Sequence, residues 1–181
     1  MEGKTINALN FEDLFLGIGC DLNGWGCYTH KGNEEIKSTS KAMLGHLIDT
    51  DIDRTRLHLM AEAPDKSQNL SIHLLNIIWE MGDYKHYGIP AMMEEDLERL
   101  HIIFTASGFE DVETEVGKMV ISDQEYDCIT GRYKYNGQQF YFRQVWFIRD
   151  IFLVMVNATS LETDTTEEIF KRVYHLKEDG E

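Results

Sequence analysis

The sequence predicts an α/β fold of the α+β kind: a three-layer αβα sandwich built around a mainly antiparallel sheet. Three observations predict it. The C-terminal third holds three consecutive strand-like runs joined by tight turns, which make an antiparallel meander. The runs from residue 56 onward carry apolar side chains on both parities, so both faces of the sheet are covered. Helical patterns at 34–48, from Pro90 and after Asp164 supply the outer layers. The 181 residues are expected to form one domain over 14–176, with a flexible lead-in at 1–13 and a fraying tail at 177–181.

The first element expected is a strand from Leu14 to Leu22, weakened by Gly17 and Gly19. Asn23-Gly24 is a two-residue hairpin signal, because both positions accept positive φ, and Trp25 to Thr29 is the return strand. Ile36, Met43, Leu44, Leu47 and Ile48 fall near helical spacing. Arg56–Ala63 and Leu70–Ile78 form a strand pair. With Ala63 opposite Asn69, His73 faces Leu59.

Pro90 opens a helix that ends near Ser107, where Gly108 stops it. Its buried stripe is Met93, Leu97, Leu100, Ile103 and Phe104. One or two short strands follow over Glu110–Ser122. The meander runs Tyr126–Tyr135, Gln139–Ile148 and Ile151–Thr159, turning at Asn136-Gly137 and Arg149-Asp150. Val154, Val156, Phe147 and Phe170 are expected to be buried. Asp164-Thr165-Thr166-Glu167 reads as a capping box for a closing helix with Ile169, Phe170, Val173 and Leu176 on its apolar face.

Composition excludes several functions. Hydrophobic residues make up 43% and charged residues 27%, which fits a globular chain and not a disordered one. The 32 acidic residues against 17 basic ones give a net charge of −15. Nucleic-acid binding and attachment to an anionic membrane both need basic surface, so no nucleic-acid partner is expected. No apolar run reaches the roughly 18 residues of a membrane span. Met-Glu-Gly-Lys leads into polar sequence and shows no signal peptide, so the chain is read as cytosolic or as lacking its targeting segment.

Chemical motifs are weak. Seven histidines show no i,i+4 pair on a helix and no H-E-x-x-H, so no metal site is expected. Cys128 sits mid-strand and reads as a small core residue. Glu94-Glu95-Asp96 and Glu167-Glu168 fall at helix N-termini, where the dipole favours acids. Gly17-x-Gly19 and Gly24-x-Gly26 lack phosphate-loop spacing. No catalytic residue and no cofactor is assigned.

Two features remain as candidate sites. The meander is rich in aromatics, and Tyr133, Tyr135, Tyr141 and Trp146 form a possible interaction patch. If Asn23-Gly24 makes a two-residue turn, Cys20 faces Cys27 with Cα atoms roughly 5.5 Å apart, within disulfide range. Whether that bond forms depends on the compartment.

Several segments resemble the PsbP-like superfamily, which includes the Ran-binding Mog protein of yeast, and most of all its domains in bacterial secreted proteins and lipoproteins. They are Leu16-Gly17-Ile18-Gly19-Cys20 with Trp25 and Tyr28, the region around Met60 and Asn69–Leu74, Phe140–Trp146, Arg149-Asp150, Phe152–Thr159 and Asp164–Ile169. The resemblance implies an αβα sandwich over residues 14–176. It also implies a non-catalytic, adaptor-like protein-interaction domain, extracytoplasmic or at the bacterial cell surface, with a cytoplasmic setting as the alternative. A small-ligand binding module with a pocket between sheet and helices is the competing expectation. An enzyme without a recognisable motif ranks third.

Overall fold

A computed structural model describes residues 6–7, 10–28 and 54–176. The strands are β1 (Ile6–Asn7), β2 (Asn10–Asp13), β3 (Ile18–Asp21), β4 (Gly26–Cys27), β5 (Thr55–Glu62) and β6 (Gln68–Asn76). Helix α1 (Met81–Ala106) follows, then β7 (Glu110–Ile121), β8 (Gln124–Tyr135), β9 (Gln138–Arg149) and β10 (Phe152–Leu161). A short helix α2 (Thr166–Phe170) and β11 (Val173–His175) close the described chain. The helix expected over 34–48 and the tail 177–181 lie outside the described residues.

The large sheet has the order β1-β4-β5-β6-β10-β9-β8-β7, and a small sheet has the order β11-β3-β2. Every pairing in both is antiparallel. The protein is an α+β sandwich, as the sequence predicts. Helix α1 packs on one face of the large sheet through a core of Ile77, Met93, Ile129, Trp146 and Leu153. On the other face lie the small sheet and α2, around Leu16, Leu22, Ile72, Val154, Val156 and Phe170. Among the described residues, much of that second outer layer is sheet.

β10 carries both cores. Leu153 points to the α1 side and Val154 to the other, and both are essentially inaccessible. Val156 and Phe170 are buried as expected, while Phe147 is half-buried against the same core. The first meander turn behaves as its residues dictate, while the second falls at Asp150-Ile151 and not at Arg149-Asp150, because Arg149 pairs with Phe152. Asn136 and Gly137 have φ of 50° and 77°, the left-handed pair that matches strand twist.

Several expectations are corrected. The lead-in is not unstructured throughout, since Asn10–Asp13 pairs with Ile18–Asp21 and β1 pairs with β4. The hairpin around Asn23-Gly24 does not form. The turn exists, with Trp25 N–H donating to the Leu22 carbonyl at 2.9 Å, but it links the small sheet to the large one. The reason is packing: Leu22 and Trp25 are both buried between the layers, which pulls the two strands apart into different sheets. The closing helix is a single turn, and Val173–His175 is a strand, because β3 needs a partner for its open edge. Long-range pairing overrides the local helical spacing.

Smaller shifts have local causes. Glu62, not Ala63, faces Asn69, and a bulge at Leu57/Leu59 sets Leu57 opposite His73. Helix α1 begins nine residues before Pro90 and kinks at Gly88, whose φ of 81° no helical residue adopts. Glu110–Ile121 is one twelve-residue strand, bent by a bulge between Glu110 and Glu113.

Candidate interaction surface

The proposed aromatic patch is divided by the fold. Trp146 is 3% exposed on the α1 side, where its Nε1 donates to Gln144 Oε1 at 2.6 Å. Tyr133 stacks on Phe140 and meets Phe104 of α1 edge-on, and Tyr135 leans on Phe109. Burial raises the Tyr133 phenol above its ordinary value. Tyr141 lies on the opposite face, in an open cleft with Glu113, Arg132 and Asp164. Strand alternation separates Tyr141 from Tyr133 and Tyr135.

Cys20 and Cys27 are both buried. They sit in different sheets, Cys20 opposite Phe11 and Val173, Cys27 opposite Ala61 and Ile6. Burial, and then the neighbouring Cys27, push the Cys20 thiol up to about 12, so it is not a nucleophile. Cys128 is likewise buried and raised by desolvation.

A polar row crosses the α1 face of the central strands. Asn157 stands opposite both Ser71 and Gln144, and Gln144 Nε2 donates to Asn157 Oδ1 at 2.5 Å. His73 Nε2 lies 3.1 Å from Ser71 Oγ. Burial alone pushes the His73 imidazole down to about 4, so it is neutral at pH 7. Ser71 and His73 adjoin on one strand, but among the described residues no carboxylate acts on His73, and the row mainly satisfies its own members. Among the described residues, no group of three or more His, Cys, Asp or Glu side chains could hold a metal ion. Among them, too, no helix is long and apolar enough to cross a membrane.

The residues that stand out are ones the sequence reading assigned to strands or passed over. Leu14 and Trp79 are each 86% exposed, Phe15 53% and Ile78 49%. All four lie at the end of the large sheet where β9 turns into β10. Arg149, the last residue of β9, donates from Nε to the Leu16 carbonyl at 3.1 Å. The Ile77 N–H donates to the Ile151 carbonyl at 2.9 Å. Between the two turns stands Phe152, paired with Asn76 in the sheet and edge-on to Phe15.

Both turns are held firmly. Asp13 Oδ1 accepts the Leu16 N–H at 3.0 Å, and the Asp13 carbonyl accepts that of Gly17 at 2.9 Å. Leu16 is fully buried, so the turn that plants it in the core drives Leu14 and Phe15 outward. At the other turn Asn76 Oδ1 accepts the Ile78 N–H at 3.1 Å. Arg54 donates to the Asn76 carbonyl and pairs with Glu80 at 2.6 Å. Ile77 goes inward at 1% exposure, and Ile78 and Trp79 go outward. Large apolar side chains displayed on braced turns make this end the candidate interaction surface.

A sequence signal for this surface did exist: Ile77-Ile78-Trp79 is an apolar run that outlasts its strand. Periodicity could not show where β6 ends.

No family profile matches the chain, and no curated protein matches it. Among solved structures, one from Bacteroides thetaiotaomicron VPI-5482 is similar over 97% of this chain, with a TM-score of 0.44 and 9% identity. This chain spans 51% of that protein's length. LpqN of Mycobacterium tuberculosis, involved in cell envelope biogenesis, is similar over 69% of this chain and 80% of its own, with a TM-score of 0.37 and 13% identity. These likenesses are loose, and neither assigns a role to any residue.

Proposed function

We propose that this chain is a non-catalytic interaction domain that docks a folded protein partner on its apolar end. The observation that carries the reading is the outward display of Leu14, Phe15, Ile78 and Trp79 on two braced turns at one end of the sheet. Such large side chains cost free energy in water, and they supply the apolar and aromatic anchors of protein interfaces. The clefts lined by Glu113, Arg132 and Tyr141, and by Lys118, Arg143 and Glu167, are open and rimmed by paired charges, which suits a small ligand poorly. The sequence resemblance to bacterial extracytoplasmic domains supports an extracytoplasmic or cell-surface setting for this adaptor.

The test is site-specific photo-crosslinking in cells of the source organism, with the reactive group at Phe15, Trp79 or, as a control, the exposed Glu125. One and the same protein should be captured from Phe15 and Trp79 and not from Glu125. That protein, purified, should bind the wild-type chain at least about ten-fold more tightly than Trp79→Ser, a loss of about 1.4 kcal/mol. Equal capture from Glu125, or unchanged affinity of Trp79→Ser, would overturn the reading.

A further inference from the structure

β7 is the terminal strand of the large sheet, so among the described residues one side of its backbone has no strand partner. The turn Ser122-Asp123, with φ of 47° and 69°, shows which residues face that side. In a two-residue hairpin of this type the flanking residues form a hydrogen-bonded pair, here Ile121 with Gln124. Met119, Gly117, Glu115 and Glu113 follow at every second position and bond inward to β8. The alternate residues Thr114, Val116, Lys118 and Val120 therefore turn their N–H and C=O groups to the open edge.

The two side-chain faces along this edge differ in chemistry. Val116 packs on the α1 side, while Met119 and Ile121 pack on the other. On the α1 side, Leu97, His101 and the 65% exposed Ile102 line an open groove with Val112 and Thr114, of about 570 Å³. The opposite side presents Glu113 and Glu115, and the exposed Glu98 is itself part of the groove lining. The cations nearby are already engaged: Arg132 with Glu113, Lys134 with Asp111, and Lys118 with Asp127. Towards α1 the edge presents Val112, Val116 and Val120 around the Lys118–Asp127 pair, and on the other side Glu113 and Glu115, on a chain of net charge −15.

We propose that this edge takes up an extended segment of a partner protein as a further strand, with basic and apolar residues alternating. Main-chain bonds to Thr114, Val116, Lys118 and Val120 hold the segment. Its apolar side chains, on one face of the pleat, enter the groove against Leu97, Ile102 and Val112. Its basic side chains, on the other, meet Glu115 beside the Glu113–Arg132 pair. This surface is separate from the apolar end, and its occupant is a strand and not a folded surface.

The probe is a synthetic peptide of alternating valine and lysine. Its comparisons are a peptide of the same composition with the lysines in one block, and an alternating peptide N-methylated at every second residue. Amide hydrogen exchange should show new protection at Thr114, Val116, Lys118 and Val120 with the alternating peptide alone, and the N-methylated one should bind at least about ten-fold more weakly. Thr114→Pro removes an outward donor on an edge strand, where proline is tolerated, and should abolish the protection. Glu115→Lys should weaken binding while leaving the fold unchanged, which keeps the test valid if Thr114→Pro is unstable. Trp79→Ser should bind the peptide normally, so this test is independent of the apolar end. Equal binding of all three peptides would reduce the effect to charge attraction and overturn the proposal. Protection of the same amides by a second copy, with a dimer in solution and no peptide, would overturn it in favour of self-pairing.

Discussion

Nε2 of His58 lies 2.7 Å from Oδ2 of Asp13, and that contact ties the small sheet to the large one. His58 occupies the bulge of β5, and Asp13 ends β2. The bulge has a purpose in these terms, since it aims one extra side chain at the other sheet. On the far side of the small sheet, the Tyr126 hydroxyl is 3.0 Å from His175 Nε2, joining β8 to β11. Both outer strands of the three-stranded sheet are therefore fastened by a histidine.

The Asp13 tie makes stability depend on pH. Burial works against the Asp13 carboxylate, but hydrogen bonds from the Leu16 N–H and from His58 outweigh it and hold the carboxyl below its ordinary value of 3.8. A carboxyl with a lowered folded-state pKa contributes stability above its unfolded value and loses it as pH falls through the folded one. Asp13→Asn should be less stable than wild type by about 1 kcal/mol at neutral pH. Below pH ~4 the gap should narrow. Urea denaturation of both proteins across that range measures it, and a gap that stays constant would show that the charge is not the source.

His73 has the opposite chemistry and the same sign. Its neutral form is the one the core accepts, with the folded value near 4 against an ordinary 6.5. As pH falls below 6.5 the unfolded chain takes up a proton that the folded chain refuses, so stability drops until about pH 4. The loss is on the order of 2–3 kcal/mol. NMR titration of the His73 ring should give a midpoint well below 6. A midpoint near 6.5 would show that water reaches the ring.

Val154 is the third residue of β10, fully buried between Leu74 on β6 and Phe147 on β9. Val154→Asp should cost roughly 4 kcal/mol or more, because it buries an unpaired charge. A thermal midpoint equal to wild type would mean the position is not buried in solution.

Two glycines on paired strands should respond differently to the same change. A Cβ at Gly131 would come within 2.4 Å of the Phe142 ring and 2.7 Å of the Glu113 carbonyl oxygen, which is backbone and cannot step aside. At Gly117 the space is open. Gly131→Ala should lose about 1–3 kcal/mol, and Gly117→Ala should be neutral or slightly stabilising. Comparing their denaturation midpoints decides it, and equal effects would contradict the packing described around Phe142.

Local chemistry determined much of this protein. Apolar residues on both parities of 151–159 announced a strand buried on both faces, and Leu153 and Val154 lie in separate cores. Asn136-Gly137 announced its turn, and Pro90 announced the long arm of α1, because those residues restrict their own backbone whatever surrounds them. The candidate surface was much less legible. Trp79 and Leu14 look in sequence like any core residues, and only the braced turns that plant Ile77 and Leu16 inward leave them outside. Parity alone separates Tyr141 from Tyr133, but the depth of Trp146 depends on what packs over it. Val173 belonged to a plausible helical stripe until β3 required a strand on its open edge. Asn23-Gly24 made its turn, yet whether the chain beyond it would pair back or cross to another sheet was decided by Leu22 and Trp25 filling the space between layers. The sequence by itself determined what depends on a residue and its near neighbours. Only the tertiary structure decided which strands would meet and which apolar side chains would be left exposed, because those outcomes depend on contacts between residues far apart in the chain.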